Sequence, residues 1–170
     1  TSSVPVAIPS TSYVFTNKIL TMNRFAYILF SVALFLSVSS CREEEENPIP
    51  NRNVNVNTTY SEFMQLRNAG THVEYKYGNY YAAGTLLGYG GVLLFRDYDN
   101  KLHAADLACP VEADDNVTVN VKMPYAVCPK CNTKYDLTFG FCSPVSGPGK
   151  FPLKIYQSVF EAGDYIQVRN

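Results

Sequence analysis

The stretch that decides the fold is Cys128-Pro-Lys-Cys131-Asn-Thr-Lys-Tyr135-Asp-Leu-Thr-Phe-Gly140-Phe-Cys142-Ser-Pro-Val-Ser-Gly147-Pro148. A CxxC knuckle opens it, Tyr135-Asp-Leu137 continues as a short strand, and a Gly/Pro-rich turn closes it. Upstream, Asp106-Leu-Ala-Cys109-Pro110 forms a second Cys-Pro loop. The run Val92-Leu-Leu-Phe95-Arg96, the turn Asp97-Tyr-Asp-Asn100 and the return Lys101–Leu107 read as a hairpin leading into that loop. Two cysteine loops joined by strands make a clamp.

Further strands are expected at Asn53–Asn57, which alternates polar and apolar residues, and at Thr71–Tyr75, Val117–Val121, Phe151–Tyr156 and Asp164–Val168, with Gly163-Asp164 as the last turn. Thr59–Leu66 has room for one or two helical turns. Short strands, frequent turns and almost no helix give an all-β chain, a small antiparallel sandwich or barrel with cysteine-bearing loops. The Gly90-Gly91 pair lacks the lysine and following helix of a phosphate loop and reads as a turn. Tyr75–Tyr81 reads as a β-hairpin tip, with a binding surface as the alternative. Asp97/Asp99 and Asp114-Asp115 read as solvated turn residues. The chain is nearly neutral, with a formal charge of −1 in 170 residues, so nothing electrostatic points to nucleic acid.

The first fifty residues read as delivery. Residues 1–21 precede Met22, carry no charge before Lys18, and are set aside as a leader. Residues 22–40 show Asn23-Arg24, an apolar run Phe25–Leu36 and the small residues Ser37–Ser40. That is a signal peptide, too short for a span of about 20 residues. Leu36-Ser-Val-Ser-Ser-Cys41 resembles the lipobox of bacterial lipoproteins. The resemblance implies cleavage before Cys41, acylation there, and membrane lipid as a partner in the cell envelope. The alternatives are an ordinary signal peptide or a short membrane anchor. Residues 41–52 form an acidic tether around Glu43–Glu46. An acidic run directly after the lipidated cysteine resembles the export signal of surface lipoproteins in Bacteroidetes-type bacteria, which implies the outer membrane and surface exposure. The folded domain is then 53–170.

Four cysteines lie in that domain: Cys109, Cys128, Cys131 and Cys142. CxxC is a chelating spacing, whereas an exported chain meets oxidising conditions in which thiols pair. Lys130 and Lys134 beside Cys131 suggest a reactive thiol, with a disulfide as the alternative. No Ser/His/Asp or Cys/His catalytic arrangement is legible, so no catalytic residue is assigned and enzymatic activity stays open. His103 reads as a strand residue.

The set Ala108-Cys109-Pro110, Val127-Cys128-Pro-Lys-Cys131, Lys134-Tyr-Asp-Leu137, Gly140 and Ser146-Gly-Pro-Gly-Lys-Phe-Pro152-Leu153-Lys-Ile-Tyr156 resembles a Rieske iron–sulfur domain, over roughly Tyr75 to Val168. The resemblance implies a 2Fe–2S cluster and electron transfer. Such a cluster takes two cysteines on one iron and two histidines on the other. Cys109 and Cys128 match the cysteines. The histidine positions hold Val111 and Cys131, and the only histidines are His72 and His103. The ligand set is therefore degenerate. Three outcomes stay open: four thiolates of Cys109, Cys128, Cys131 and Cys142 around a 2Fe–2S cluster, the same thiols around zinc, or no metal with a disulfide across the loops. The corresponding functions are an electron-transfer protein, a zinc-stabilised binding module, and a non-catalytic envelope protein. No residue names a redox partner. The signal lacks paired arginines, which weighs against export of a preassembled cluster.

Overall fold

The computed structural model describes Glu46–Asn170 together with Arg24. The signal segment, Cys41 and Glu43–Glu45 of the acidic run lie outside the described residues. Among the described residues no helix is long and apolar enough to cross a membrane. Glu46–Asn170 is one compact unit.

Twelve strands form three antiparallel sheets. The central sheet runs β10–β5–β4–β2, from Ile155–Tyr156, Leu102–Asp106, Val92–Arg96 and Thr71–Tyr75. β4 and β5 are the expected hairpin, with Val92 opposite Asp106 and Arg96 opposite Leu102. β4 is apolar on both faces because both faces are covered. Val92, Leu94, Leu102 and Ala104 pack into one core with Val54, Val56, Ile166 and Val168. Leu93, Phe95, Ala105 and Leu107 pack into a second core with Tyr135, Leu137, Leu153 and three cysteines. The period of two along each strand sends alternate residues to the two cores.

The second sheet, β11–β12–β1–β3, comprises Ser158–Ala162, Tyr165–Arg169, Val54–Thr59 and Leu86–Leu87. The third, β6–β7–β8–β9, comprises Asn120–Lys122, Tyr125–Val127, Lys134–Asp136 and Ser143–Ser146, and it carries the cysteine loops. A 3₁₀ turn at Met64–Arg67 is the only helix among the described residues of this unit.

Several expectations shift. The last hairpin is β11–β12, so the strand before Gly163 is Ser158–Ala162 and not Phe151–Tyr156, of which only Ile155–Tyr156 pairs. Val117 N–H bonds to Asp114 O within a turn, so β6 starts only at Asn120. Tyr75–Tyr81 is no hairpin tip: β2 pairs with β4, whereas β3 pairs with β1, so the segment crosses between sheets. Asn47–Pro50, read as tether, packs on the domain. Asn47 Nδ2 donates to Pro152 O at 2.8 Å, Lys154 Nζ donates to Ile49 O at 2.8 Å, and Ile49 is buried.

Candidate metal and thiol site

The first loop leaves β5 through Asp106, whose carboxylate is fully buried. Its Oδ1 accepts from Gly90 N at 2.9 Å and Ala108 N at 2.8 Å. Its Oδ2 accepts from Tyr89 N at 2.8 Å and from the Tyr156 hydroxyl at 2.6 Å. Four donors thus hold the charge, as a buried carboxylate requires. They also pin the Gly88–Gly91 bend and the backbone one residue before Cys109. Burial, followed by the nearby Asp106 charge, pushes the Tyr156 phenol up. A side chain at Gly90 would strike the backbone of Ala108, so the bend can approach this closely only with glycine there.

Past Cys109 the chain turns on itself: Glu112 N and Ala113 N both donate to Cys109 O. The second loop closes likewise. Asn132 N donates to Cys128 O at 3.1 Å, Cys128 N donates to Thr133 O at 2.9 Å, and Asn132 takes a left-handed φ of 58°. The Ser146–Gly149 segment lies on Thr133. A Cβ at Gly147 would sit 2.6 Å from Thr133 Cα, and Gly149 N donates to Thr133 Oγ1 at 3.1 Å. Lys130 Nζ meets Glu112 Oε2 at 2.6 Å, an ion pair from one loop to the other.

These constraints bring Cys109, Cys128 and Cys131 together, with all three sulfurs within 4.8 Å of one another. Cys109 Sγ and Cys131 Sγ are 3.6 Å apart. Cys109 and Cys128 are fully buried, and Cys131 is partly exposed. The Tyr135 hydroxyl lies 3.3 Å from Cys109 Sγ, and Thr133 Oγ1 lies 3.1 Å from Cys131 Sγ. The Cys131 thiol donates to Thr133 Oγ1, which also accepts from Gly149 N, so both acceptor lone pairs of the hydroxyl are used.

Burial drives the Cys128 thiol up to about 11. At Cys131 burial is the largest influence and acts in the same direction, but hydrogen bonds from the Thr133 hydroxyl and backbone, together with those from Cys128 and Cys109, outweigh it and lower the thiol below its usual range. The lysines expected to activate Cys131 are occupied elsewhere. Lys130 pairs with Glu112, and Lys134 Nζ sits 3.5 Å from the centre of the Tyr125 ring.

Cys142 lies apart. Its thiol is buried, contacts Gly140 O at 3.6 Å, and is raised to about 12 by burial and then by Asp136. Val111 is exposed and, with Pro110, Pro148, Lys150 and Phe151, lines a small pocket of about 170 Å³. His103 is the strand residue it was expected to be. Its Nε2 is 2.8 Å from Asp97 Oδ2, its ring stacks on Phe95, and Gly140 packs against it. Asp97 is therefore buried and not a solvated turn residue. Asp114 keeps a turn role, accepting from Asn116 N at 2.9 Å. Sequence reasoning passed over Asp106, Thr133 and Tyr135 as site residues. Asp106 and Thr133 sit three and two residues from a cysteine, and that proximity is the signal that could have found them.

The Rieske ligand set does not fit these residues. Val111 offers no donor. Cys109 and Cys131, which that arrangement assigns to different irons, are as close as two ligands of a single ion.

No protein-family model matches the chain, and neither does any curated protein. Among solved structures the chain is similar to the ferredoxin of carbazole 1,9a-dioxygenase from Nocardioides aromaticivorans IC177, with 19% identity, a TM-score of 0.40, and coverage of 68% of this chain and 96% of that one. It is also similar to a chain from a complex of reduced oxygenase and oxidized ferredoxin in carbazole 1,9a-dioxygenase, at 16% identity and a TM-score of 0.42, covering 68% and 93%. A third is a chain assigned as the small subunit of an NADH-dependent nitrite reductase from Mycobacterium tuberculosis, at 17% identity and a TM-score of 0.39, covering 71% and 96%.

Proposed function

We propose that the protein is a lipid-anchored protein of the cell envelope, whose domain keeps a Rieske-like scaffold but not the Rieske ligand set, and whose role is non-catalytic. The observation that carries this reading is the set of residues at the four ligand positions: Cys109, Val111, Cys128 and Cys131, three of them drawn into one group of sulfurs within 4.8 Å. A Rieske-type cluster presented at these two loops would need imidazoles at its outer iron. Here those positions hold an exposed valine and a thiol hydrogen-bonded to Thr133.

The anchor in this reading is Cys41, carrying acyl chains that contribute about 0.8 kcal/mol per buried methylene. Glu43–Glu46 keeps the first residues solvated and directs the chain to the outer membrane surface.

The test has two parts. The full chain expressed in its own type of envelope is expected in the membrane fraction, and Cys41→Ser is expected in the soluble fraction. Recovery of that variant in membranes would remove the anchor. The full chain purified without oxygen is expected to lack acid-labile sulfide and visible iron–sulfur bands. Iron and sulfide in equal amounts would overturn the reading and make the protein the electron carrier that the sequence resemblance implies.

A further inference from the structure

We infer that Cys109, Cys128 and Cys131 form a three-thiolate site for a single Zn²⁺ ion, with the fourth coordination position left open by the protein. This rests on the reading above, that the scaffold has lost its two-cysteine, two-histidine set.

The argument starts from distances. Thiolates bound to one zinc at about 2.3 Å stand about 3.8 Å apart along the edges of a tetrahedron. The three sulfurs all lie within 4.8 Å, and Cys109 Sγ and Cys131 Sγ are 3.6 Å apart. Small side-chain rotations place all three on one ion. Donor type agrees, because thiolates select zinc over the hard, oxygen-seeking cations. The surroundings agree as well. The Tyr135 hydroxyl at Cys109 Sγ and the Thr133 hydroxyl at Cys131 Sγ are outer-shell groups that orient ligating sulfurs. Each can donate to a thiolate whose proton zinc binding has released to solvent.

The count of ligands sets what kind of zinc site this is. Among the described residues no other cysteine, histidine or carboxylate joins the group. Cys142 contacts Gly140 O instead. A structural zinc site is closed by four protein ligands, whereas three protein ligands leave a place for a small molecule. Cys131 is the least buried of the three, so the group of sulfurs meets solvent on its side. The open position therefore takes an exogenous nitrogen or sulfur donor, for which imidazole is the probe.

The full chain, reduced and free of oxygen, is titrated with Zn²⁺ and, for its spectrum, with Co²⁺. One ion per chain is expected, with sulfur-to-cobalt charge-transfer bands. Cys142→Ser should leave the stoichiometry unchanged. Cys131→Ser should weaken binding by more than the roughly 10–100-fold that loss of an outer-shell group costs. Imidazole should shift the cobalt bands.

Absence of binding by the reduced chain, or loss of the ion in Cys142→Ser, overturns the inference and leaves the proposed function standing. An unshifted cobalt spectrum with imidazole overturns the open position. Iron with equal sulfide in the purified chain overturns both readings.

Discussion

Asp106→Asn should be among the most damaging near-isosteric substitutions in this domain. Each carboxylate oxygen accepts two hydrogen bonds, Oδ1 from Gly90 N and Ala108 N, and Oδ2 from Tyr89 N and the Tyr156 hydroxyl. Asparagine keeps the shape but replaces one oxygen with an NH₂ donor. Whichever way the amide turns, two of the four donors then face another donor. Hydrogen bonds to a charged group contribute about 1.5–3 kcal/mol each, so two lost bonds cost about 3–6 kcal/mol. Relief from burying a charge offsets part of this, which leaves about 3 kcal/mol. Against a typical total of about 5–15 kcal/mol, that is a large fraction. In urea, with a slope of about 1–3 kcal/mol per molar, the midpoint should fall by about 1–3 M at unchanged slope. Tyr156→Phe should cost less, because three donors remain on the carboxylate. The double variant should cost less than the sum, because the two share a bond. An Asp106→Asn midpoint that implies a loss within about 0.5 kcal/mol, the range of an ordinary surface change, would refute this account of the carboxylate.

Other expectations follow from the same geometry. Glu161 accepts from the Tyr60 hydroxyl and from Arg96 at 2.7 Å; burial acts to raise its carboxyl, but these bonds and the Arg96 charge hold it below its ordinary value. Between the two values the folded state binds fewer protons than the unfolded state. The contribution of Glu161 is therefore full above about 4.5 and lost as pH falls through the lowered value. Glu161→Gln should make the urea midpoint less sensitive to pH on the acid side, and an unchanged acid limb would count against the pairing. Gly147→Ala places a Cβ 2.6 Å from Thr133 Cα at a φ of 89°. Its cost should be about 1–3 kcal/mol by urea unfolding, and a neutral result would mean that the segment does not lie on Thr133. Removing metal with a chelator should leave the far-ultraviolet circular dichroism essentially unchanged, unlike a zinc finger, because both loops close through bonds that involve no sulfur. Loss of the β signal on chelation would show that the ion holds the loops.

The central hairpin was the most legible part of the fold because its residues meet two cores. Val92–Arg96 and its return strand announced themselves because burial on both faces demands a continuous apolar run, and Asp97–Asn100 supplied the turn. Ser143–Ser146 and Ser158–Ala162 went unread because both are edge strands, mostly exposed, and one contains Pro144. An edge strand owes its pairing to a neighbour's backbone, which leaves little trace in its own side chains. The crossing segment after Tyr75 was misread for a related reason, since tyrosine content says nothing about which sheet receives the next strand. The cysteines were legible as a set because CxxC and Cys-Pro have a chemical meaning of their own. Their grouping into three and one was not legible. It depends on the left-handed backbone of Asn132 and Cys142 and on the bond of the Cys142 thiol to Gly140 O.

The bonds that position the cysteines do not involve their sulfurs. Cys109 is positioned by Ala108 N on Asp106, and by its own carbonyl accepting from Glu112 and Ala113. Cys128 is positioned by its N–H on Thr133 O, and the loop is capped by Gly149 on the Thr133 hydroxyl. None of these bonds uses a sulfur or requires a metal. Beneath them Tyr135, Leu137 and Leu153 pack against Leu93 and Phe95 of the central sheet, an apolar core that forms whatever the loops hold. Exchange of a histidine for Val111 or Cys131 at the loop tips therefore leaves the supporting bonds intact. It changes the chemistry of the tips alone. Folding and ligation therefore rest here on different residues.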